Sequence, residues 1–233
     1  MREPVRLFVG FDRKEAIAHH VFAHSVRRLA SRPVSITPLD LGQLQGYTER
    51  HGDVSNEFVY SRFLVPYICG FKGWAIFVDG DMLMRGDISH LWDMRDKSKA
   101  VQVVPHVYET KFPRKYLGAV NENYPRKNWS SVIIWNCEHP ANAALTPMMV
   151  QAQPGAYLHR FAWLQNSEIG HLSKHWNWLV GEYDYNAHAR LVHFTVGAPC
   201  FKEYQRCDYA DEWFQELRDM LTVEGENGLA WMR

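Results

Sequence analysis

Apolar residues along this chain fall into short runs that polar or turn-forming residues separate. Runs of four to seven residues rich in Val, Ile and Phe are typical of buried strands. The sequence predicts six of them, at 5–11, 34–41, 74–79, 100–104, 131–136 and 191–194. Apolar residues spaced three or four apart predict helices over 12–30, 57–68 and 208–221.

The helix predictions specify their buried faces and their starts. One face of the first helix carries Ala18, Phe22, Val26 and Leu29, and one face of the last carries Tyr209, Trp213, Leu217 and Leu221. Asp12 and Glu15 form a capping-box pattern at the start of the first helix. Asp87 is expected to cap a short helix that begins at residue 88.

The alternation of strands and helices determines the expected fold class. Such a pattern indicates an α/β fold, with a Rossmann-like, mostly parallel sheet and helices on both faces. No repeat, low-complexity tract or flexible linker interrupts the chain, so a single domain over 1–233 is predicted. In such sheets, ligands bind beyond the carboxyl ends of the strands.

Composition narrows the possible partners and the setting. Lys and Arg together number 26, as do Asp and Glu, so no basic surface for nucleic acid is indicated. No apolar run approaches the ~20 residues that a transmembrane helix needs. Four cysteines without metal-ligand spacing, at 69, 137, 200 and 207, favour a reduced, cytoplasmic setting.

Two aspartates follow the predicted buried strand 74–79. Asp79 and Asp81 are two residues apart in an extended segment, so both side chains can face one cation beyond the strand end. Carboxylate oxygens suit Mn²⁺ or Mg²⁺, and Gly80 would allow a bulky ligand to approach the backbone. A plainer interpretation makes Asp81 a turn residue.

The segment "DGDML" is similar to motifs in two enzyme families. It resembles the D-x-D-x-T/V of haloacid-dehalogenase phosphatases, but that motif normally follows the first strand, and here it begins only at residue 79. A second likeness spans about residues 5–202. The ordered motifs "LFVGFD", "YSRFLVPYI", "FVDGDMLMRGDISHLWD", "NWSSVIIWN" and "HFTVGAP" resemble the retaining GT-A nucleotide-sugar glycosyltransferases like glycosyltransferase family 8.

This resemblance implies a donor site, a metal and a reaction. The donor is a nucleotide-sugar, usually UDP-linked, and the metal is Mn²⁺ or Mg²⁺ held by Asp79, Asp81 and His193. The remaining donor-binding residues implied are Phe11, Asp12, Arg62, Gly80, Trp129, Ser130, Ser131, Gly197 and Lys202. Asp12 would lie by the nucleoside, Arg62 would support the donor site, and Trp129 could stack on the sugar.

The chain also departs from the family pattern, as a divergent branch would. "WSS" at 129–131 replaces Asn-Ala/Ser-Gly, and "HFTVGAPCF" lacks the family's lysine after the metal histidine, although Lys202 follows closely. The Asp-Gln pair beside the anomeric carbon is absent. Gln165, Asn166 or Glu168 could supply the oxygen that stabilises the oxocarbenium-like sugar, and an amide there favours front-face attack with retention.

These departures leave a second function open, which is a GT-A-like protein that binds nucleotide or glycan without turnover. The acceptor, whether glycan, protein, lipid head group or metabolite, cannot be read from the sequence. Three histidines on the first predicted helix have no evident acidic partner, so solvated or capping roles are expected for His19, His20 and His24.

Overall fold

The computed structural model describes residues 3–52 and 56–222, and the predicted domain limits at 1 and 233 lie outside these ranges. The strands are β1 Val5–Gly10, β2 Val34–Leu39, β3 Trp74–Val78, β4 Met82–Met84, β5 Val101–Val103, β6 Val132–Asn136, β7 Ile169–His171, β8 Trp178–Leu179 and β9 Leu191–His193. The helices are α1 Ala16–Leu29, α2 Val65–Ile68, α3 Ile88–Trp92, α4 Pro147–Ala152, α5 Gly155–His159 and α6 Ala210–Leu221.

The main sheet has the order β2-β1-β3-β6-β5-β7. Its pairs are parallel except that β6 runs antiparallel to β3 and to β5. The carboxyl ends of β1, β3 and β5 therefore lie at one edge, together with the start of β6. A second sheet, β4-β9-β8, adjoins this edge, and in it Met82 pairs with His193.

Helices cover both faces of the main sheet, as predicted. Successive strand residues point to opposite faces, and Phe77 and Ile76 accordingly belong to different core clusters. The Phe77 face packs against residues of α2, α4 and α5, and the Ile76 face packs against α1 and α3. In the part of the chain that the structure describes, no helix is both long and apolar enough to cross a membrane.

The prediction of a helix over 57–68 is wrong for its first half. Residues 57–60 form a turn, a 3₁₀ helix spans Ser61–Leu64, and only α2 is α-helical. The guanidinium Nε of Arg62 donates to the carbonyl oxygens of Phe58 (3.3 Å) and Val59 (3.0 Å). In a regular helix those carbonyls would accept hydrogen bonds from backbone N–H groups. Here the Arg62 side chain donates to them instead.

The capping predictions are partly confirmed. Asp87 Oδ1 accepts from the backbone N–H of Ser89 at 2.8 Å, as expected for the cap of α3. Asp12 Oδ1 accepts from Lys14 N at 2.8 Å, but it caps a 3₁₀ turn, and α1 begins only at Ala16. Glu15 does not complete the capping box, because its carboxylate turns toward the edge where the strands end.

Candidate metal centre

Three predicted metal ligands meet where the two sheets adjoin. Asp79 follows β3, Asp81 precedes β4 and His193 ends β9, and one ligand atom from each lies within 4.8 Å of the others. Nε2 of His193 is 3.4 Å from Oδ1 of Asp81 and 3.8 Å from Oδ2 of Asp79. All three side chains are buried. The pairing of β4 with β9 therefore places the histidine opposite the aspartates.

Gly80 has a packing reason to be glycine. A Cβ at this position would lie 2.3 Å from the carbonyl oxygen of Gly10, at the end of β1. Only a residue without a side chain lets the 79–81 segment pass from one sheet to the other so close to that strand end. The sequence-based reason, which was space for a ligand, is not the one that the structure displays.

Arg62 lies at the site, as the resemblance implies. Its Nη1 is 2.7 Å from Oδ1 of Asp79 and donates to the carbonyl oxygen of Ser130 at 2.9 Å. Burial raises the pKa of Asp79 to about 6, and the neighbouring Arg62 charge opposes that rise. Arg62 thus links β3 to the start of β6 and partly balances the buried carboxylates.

Asn177 sets the orientation of the metal-facing histidine. Its side-chain oxygen lies 3.1 Å from Nδ1 of His193, while its amide nitrogen donates to Ser131 Oγ (2.8 Å) and to Asn128 O (3.1 Å). Because the amide nitrogen is engaged elsewhere, the oxygen must accept, so Nδ1 of His193 carries the proton. The lone pair of Nε2 is then directed at the aspartates, as in metal-binding histidines.

The ligand set fits a divalent cation. Oδ1 of Asp81 is buried without a hydrogen-bond partner, and Nε2 of His193 lies 3.4 Å away. An unpartnered buried carboxylate oxygen is costly. Carboxylate oxygens are the ligands that suit Mn²⁺ and Mg²⁺ in proteins, and the imidazole offers a nitrogen ligand beside them.

Glu15 is a further buried acid beside the centre, and the sequence assigned it only to a helix cap. Its Oε1 accepts from the hydroxyl of Tyr116 at 3.2 Å, and Oε2 has no hydrogen-bond partner. Burial, followed by the negative charges of Asp81 and Asp12, raises the pKa of Glu15 to about 9. Its carboxyl group is therefore protonated at neutral pH in this structure.

The other residues expected near the nucleoside lie at the end of β1. Both oxygens of Asp12 accept from backbone N–H groups, those of Lys14 (2.8 Å) and Glu57 (3.2 Å). Phe11 meets the ring of His19 edge-on, with the ring centroids 5.3 Å apart. In this structure Asp12 holds the turn after β1, and its place by the nucleoside stays a prediction.

The "WSS" segment supports the edge of the site through hydrogen bonds. Trp129 Nε1 donates to the carbonyl oxygen of His106 at 3.1 Å. Ser130 Oγ lies 2.8 Å from Nδ1 of His159, and Ser131 Oγ donates to Asn128 O at 2.6 Å.

Two further residues expected to bind the donor follow His193 in sequence. A Cβ on Gly197 would lie 2.2 Å from the ring of Tyr204. Lys202 is exposed.

The three residues expected to stabilise the anomeric centre of the sugar, Gln165, Asn166 and Glu168, form hydrogen bonds within the protein. Glu168 Oε2 accepts from the backbone N–H of Gln165 at 2.7 Å, and Asn166 Oδ1 accepts from Arg126 Nη2 at 2.7 Å. They precede β7, an edge strand of the main sheet. Within residues 3–52 and 56–222, no hydrogen bond or ion pair joins them to the metal ligands, so their catalytic role stays a prediction.

The histidines of α1 differ in part from expectation. His19 is buried, and its Nδ1 lies 3.3 Å from the carbonyl oxygen of Gly10, which is a backbone-bonded role. His24 was expected to lack an acidic partner, and this is wrong: its Nδ1 is 2.5 Å from Oε1 of Glu216 on α6. The partner comes from a distant part of the sequence, so local spacing could not reveal it.

Comparison with known proteins places the chain in a family. No protein-family model matches the sequence. Protein CDI of Arabidopsis thaliana is 42% identical over 227 residues, and the match covers 94% of this chain and 88% of that protein. The chain belongs to the Protein CDI family.

Solved structures share the fold at low sequence identity. The bifunctional glycosyltransferase WbbM matches with a TM-score of 0.67 and 15% identity over 93% of the CDI-family chain, which corresponds to half, 50%, of WbbM. The galactosyltransferase LgtC, in complex with donor and acceptor sugar analogues, matches with a TM-score of 0.55 and 11% identity, covering 95% of this chain and 98% of LgtC. These likenesses confirm the GT-A fold.

Proposed function

We propose that the CDI-family chain is a nucleotide-sugar glycosyltransferase that works with a divalent cation, Mn²⁺ or Mg²⁺. The observation that carries the proposal is the buried group of Asp79, Asp81 and His193 at the carboxyl end of β3. Its unpartnered carboxylate oxygen and fixed imidazole suit a cation, and the fold is one that WbbM and LgtC share. A haloacid-dehalogenase phosphatase receives no comparable support.

Each residue of the centre has a separate proposed role in donor binding. A divalent cation neutralises the diphosphate as it leaves the sugar, without a proton donor. Asp79, Asp81 and His193 would hold the cation, Asn177 keeps Nε2 of His193 directed at it, and Arg62 limits the repulsion between the carboxylates. We propose UDP as the nucleotide and a hexose as the sugar, with the nucleoside near Phe11 and Asp12.

The sugar end of the site is proposed to follow the retaining pattern. Trp129 is half-buried at the start of β6 and could present its ring to the donor sugar. Gln165, Asn166 or Glu168 would approach the anomeric centre only after releasing the hydrogen bonds that they make here. Proton NMR of the early product tests retention, because an inverted anomer would exclude it.

A nucleotide-sugar screen tests the proposed function directly. Purified protein is incubated with Mn²⁺ and UDP-, GDP-, ADP- and CDP-linked sugars, and release of the nucleoside diphosphate is measured. Slow release into water is expected for one donor class, and Asp79→Asn and Asp81→Asn should abolish it. The exposed Asp184→Asn is the matched control.

The same screen separates the two functions. Metal-dependent nucleotide binding without donor hydrolysis, and without transfer to any offered acceptor, would favour the non-catalytic alternative. If no nucleotide bound with Mn²⁺, the proposal would be wrong altogether.

A further inference from the structure

A short hairpin, residues 113–121, lies beside the candidate metal centre. Its two arms are joined by hydrogen bonds from Asn121 N to Pro113 O (3.0 Å) and from Lys115 N to Ala119 O (2.8 Å). Leu117 and Gly118, both with positive φ, form its turn. The backbone at Lys115 is therefore fixed from both sides of the hairpin.

Residue Tyr116 anchors this hairpin to the segment that follows His193. Its backbone N–H donates to Val196 O at 2.8 Å, and its ring stacks on Phe201 with the centroids 4.8 Å apart. Its hydroxyl donates to Glu15 at 3.2 Å. These three contacts hold the adjacent Lys115 at the edge of the metal centre.

Lys115 faces the metal ligands but is paired with none of them. The charge of its ammonium group interacts with the carboxylates of Asp79 and Asp81. Yet among the residues that the structure describes, its Nζ forms no hydrogen bond and no ion pair. Lys115 is half-buried, and its ammonium group lies near the two aspartates but beyond ion-pair distance, so a gap separates them.

An unpaired cation at this place disfavours a bound metal ion. A divalent cation between the aspartates would be repelled by both Arg62 and Lys115, and the positive charges would exceed the negative ones even with Asp12 counted. The arrangement becomes favourable when a multiply charged anion enters the gap. A diphosphate has that charge, and its oxygens can accept hydrogen bonds from an ammonium group.

We infer that Lys115 binds the diphosphate of the nucleotide-sugar donor, on the side opposite the metal ligands. The inference rests on the proposed function and deepens it. Lys202, which follows the metal histidine in sequence, is exposed and has no comparable interaction with the aspartates. The CDI-family chain would thus draw its phosphate-binding lysine from the 113–121 hairpin.

Two charge-removing variants, Lys115→Met and Lys115→Gln, test the inference against Lys115→Arg and the exposed control Lys111→Met. Calorimetry first identifies which of UDP, GDP, ADP and CDP binds the wild type in the presence of Mn²⁺. Loss of the charge is expected to weaken binding of that diphosphate at least tenfold. Mn²⁺ alone should bind as tightly as before, or more tightly, because a repelling charge is gone.

The inference expects weaker diphosphate binding without weaker Mn²⁺ binding, and this difference distinguishes ligand binding from a structural role. Parallel loss of Mn²⁺ and diphosphate binding, or unchanged diphosphate binding in folded Lys115→Gln, would overturn the inference. So would a tenfold loss in Lys202→Met with none in Lys115→Met. If the wild type bound no diphosphate, the proposed function would fail first and the inference with it.

Discussion

At the scale of single residues, the candidate metal centre depends on a residue that is not one of its proposed ligands. Asn177 is not a proposed metal ligand. Its hydrogen bond with Nδ1 of His193 nevertheless leaves Nε2 as the nitrogen that faces the aspartates. Partners of this kind commonly change metal affinity 10- to 100-fold when removed. The ligand triad and its supporting asparagine should therefore be regarded as one unit.

Replacing Asn177 tests this dependence. Asn177→Leu removes the acceptor for Nδ1–H of His193 and should lower Mn²⁺ affinity about 10- to 100-fold. Asn177→Asp keeps an acceptor oxygen and should retain most of the affinity. Calorimetric titration with Mn²⁺ makes the comparison, with the exposed Asn123→Leu as the control, and equal affinities for Leu and Asp would contradict the expectation.

The buried acid Glu15 predicts a pH-dependent stability. Burial and nearby negative charge raise its pKa from 4.5 to about 9, so folding at neutral pH requires that Glu15 take up a proton. Its contribution is fully favourable below about pH 4.5 and is lost as the pH rises toward 9. The glutamine of Glu15→Gln carries no charge at any pH. The unfolding free energy of this variant, relative to that of the wild type, should therefore increase from about pH 5 to about pH 8.

Urea denaturation in EDTA at these two pH values measures the gain, whose upper limit is about 1.4 kcal/mol per pH unit. The exposed Glu122→Gln should show no such trend. Parallel stability profiles for Glu15→Gln and the wild type would mean that Glu15 is ionised in the folded protein.

At the scale of elements, the crossing from β3 to β4 is the tightest feature of the site. Gly80→Ala places a Cβ 2.3 Å from a backbone oxygen of Gly10, which no side-chain rotation can relieve. The substitution should lower the unfolding free energy by more than about 2 kcal/mol. Gly52→Ala meets nothing within 4 Å among residues 3–52 and 56–222 and serves as the control. Equal denaturation midpoints for the two variants would contradict the prediction.

The same scale shows what could be read from the sequence. β1, β3 and β6 are predicted because long, continuous apolar runs have few alternatives to a buried strand. β4, β7 and β8 contain only two or three residues, too few for any periodicity. β5 and β9 are as short, but each lies in a predicted apolar run of four or five residues. The helix over 57–68 fails in its first half, where Arg62 binds the carbonyls of Phe58 and Val59. The same guanidinium also contacts Asp79 and Ser130, and these distant partners could not be read from local spacing.

For the site too, residues with a local sequence signal could be predicted, and residues that act through contacts distant in sequence could not. Asp79 and Asp81 could be predicted because a strand and a two-residue spacing are local features. His193 and Arg62 came from the order of family motifs. Neither Asn177 nor Lys115 leaves a local signal, since each acts on residues that only folding brings near.

At the scale of the whole molecule, metal binding and folding should be linked. A cation that binds only the folded state stabilises it by about 2.7 kcal/mol at 100 times its dissociation constant. Mn²⁺ should therefore raise the thermal midpoint of the wild type but not that of Asp81→Asn. In EDTA at neutral pH, Asp81→Asn should be no more stable than the wild type. Burial opposes ionisation of Asp81, but the nearby His193 and Lys115 hold the pKa of that carboxyl below its usual value, so the fold favours the ionised form.

Differential scanning calorimetry with EDTA and with Mn²⁺ measures both effects. The exposed Asp184→Asn should behave as the wild type does. A variant Asp81→Asn that is clearly more stable in EDTA would show that the carboxylate, with its unpartnered oxygen, destabilises the metal-free fold.

The pairing of β4 with β9 also bears on how the protein is made. Met82 and His193 come from opposite halves of the sequence, so a growing polypeptide displays both aspartates long before the ribosome has added the histidine. Contacts this distant in sequence form slowly, after loop closure. The complete ligand set therefore arises late in synthesis, and a captured Mn²⁺ ion would report that both halves of the chain have already joined.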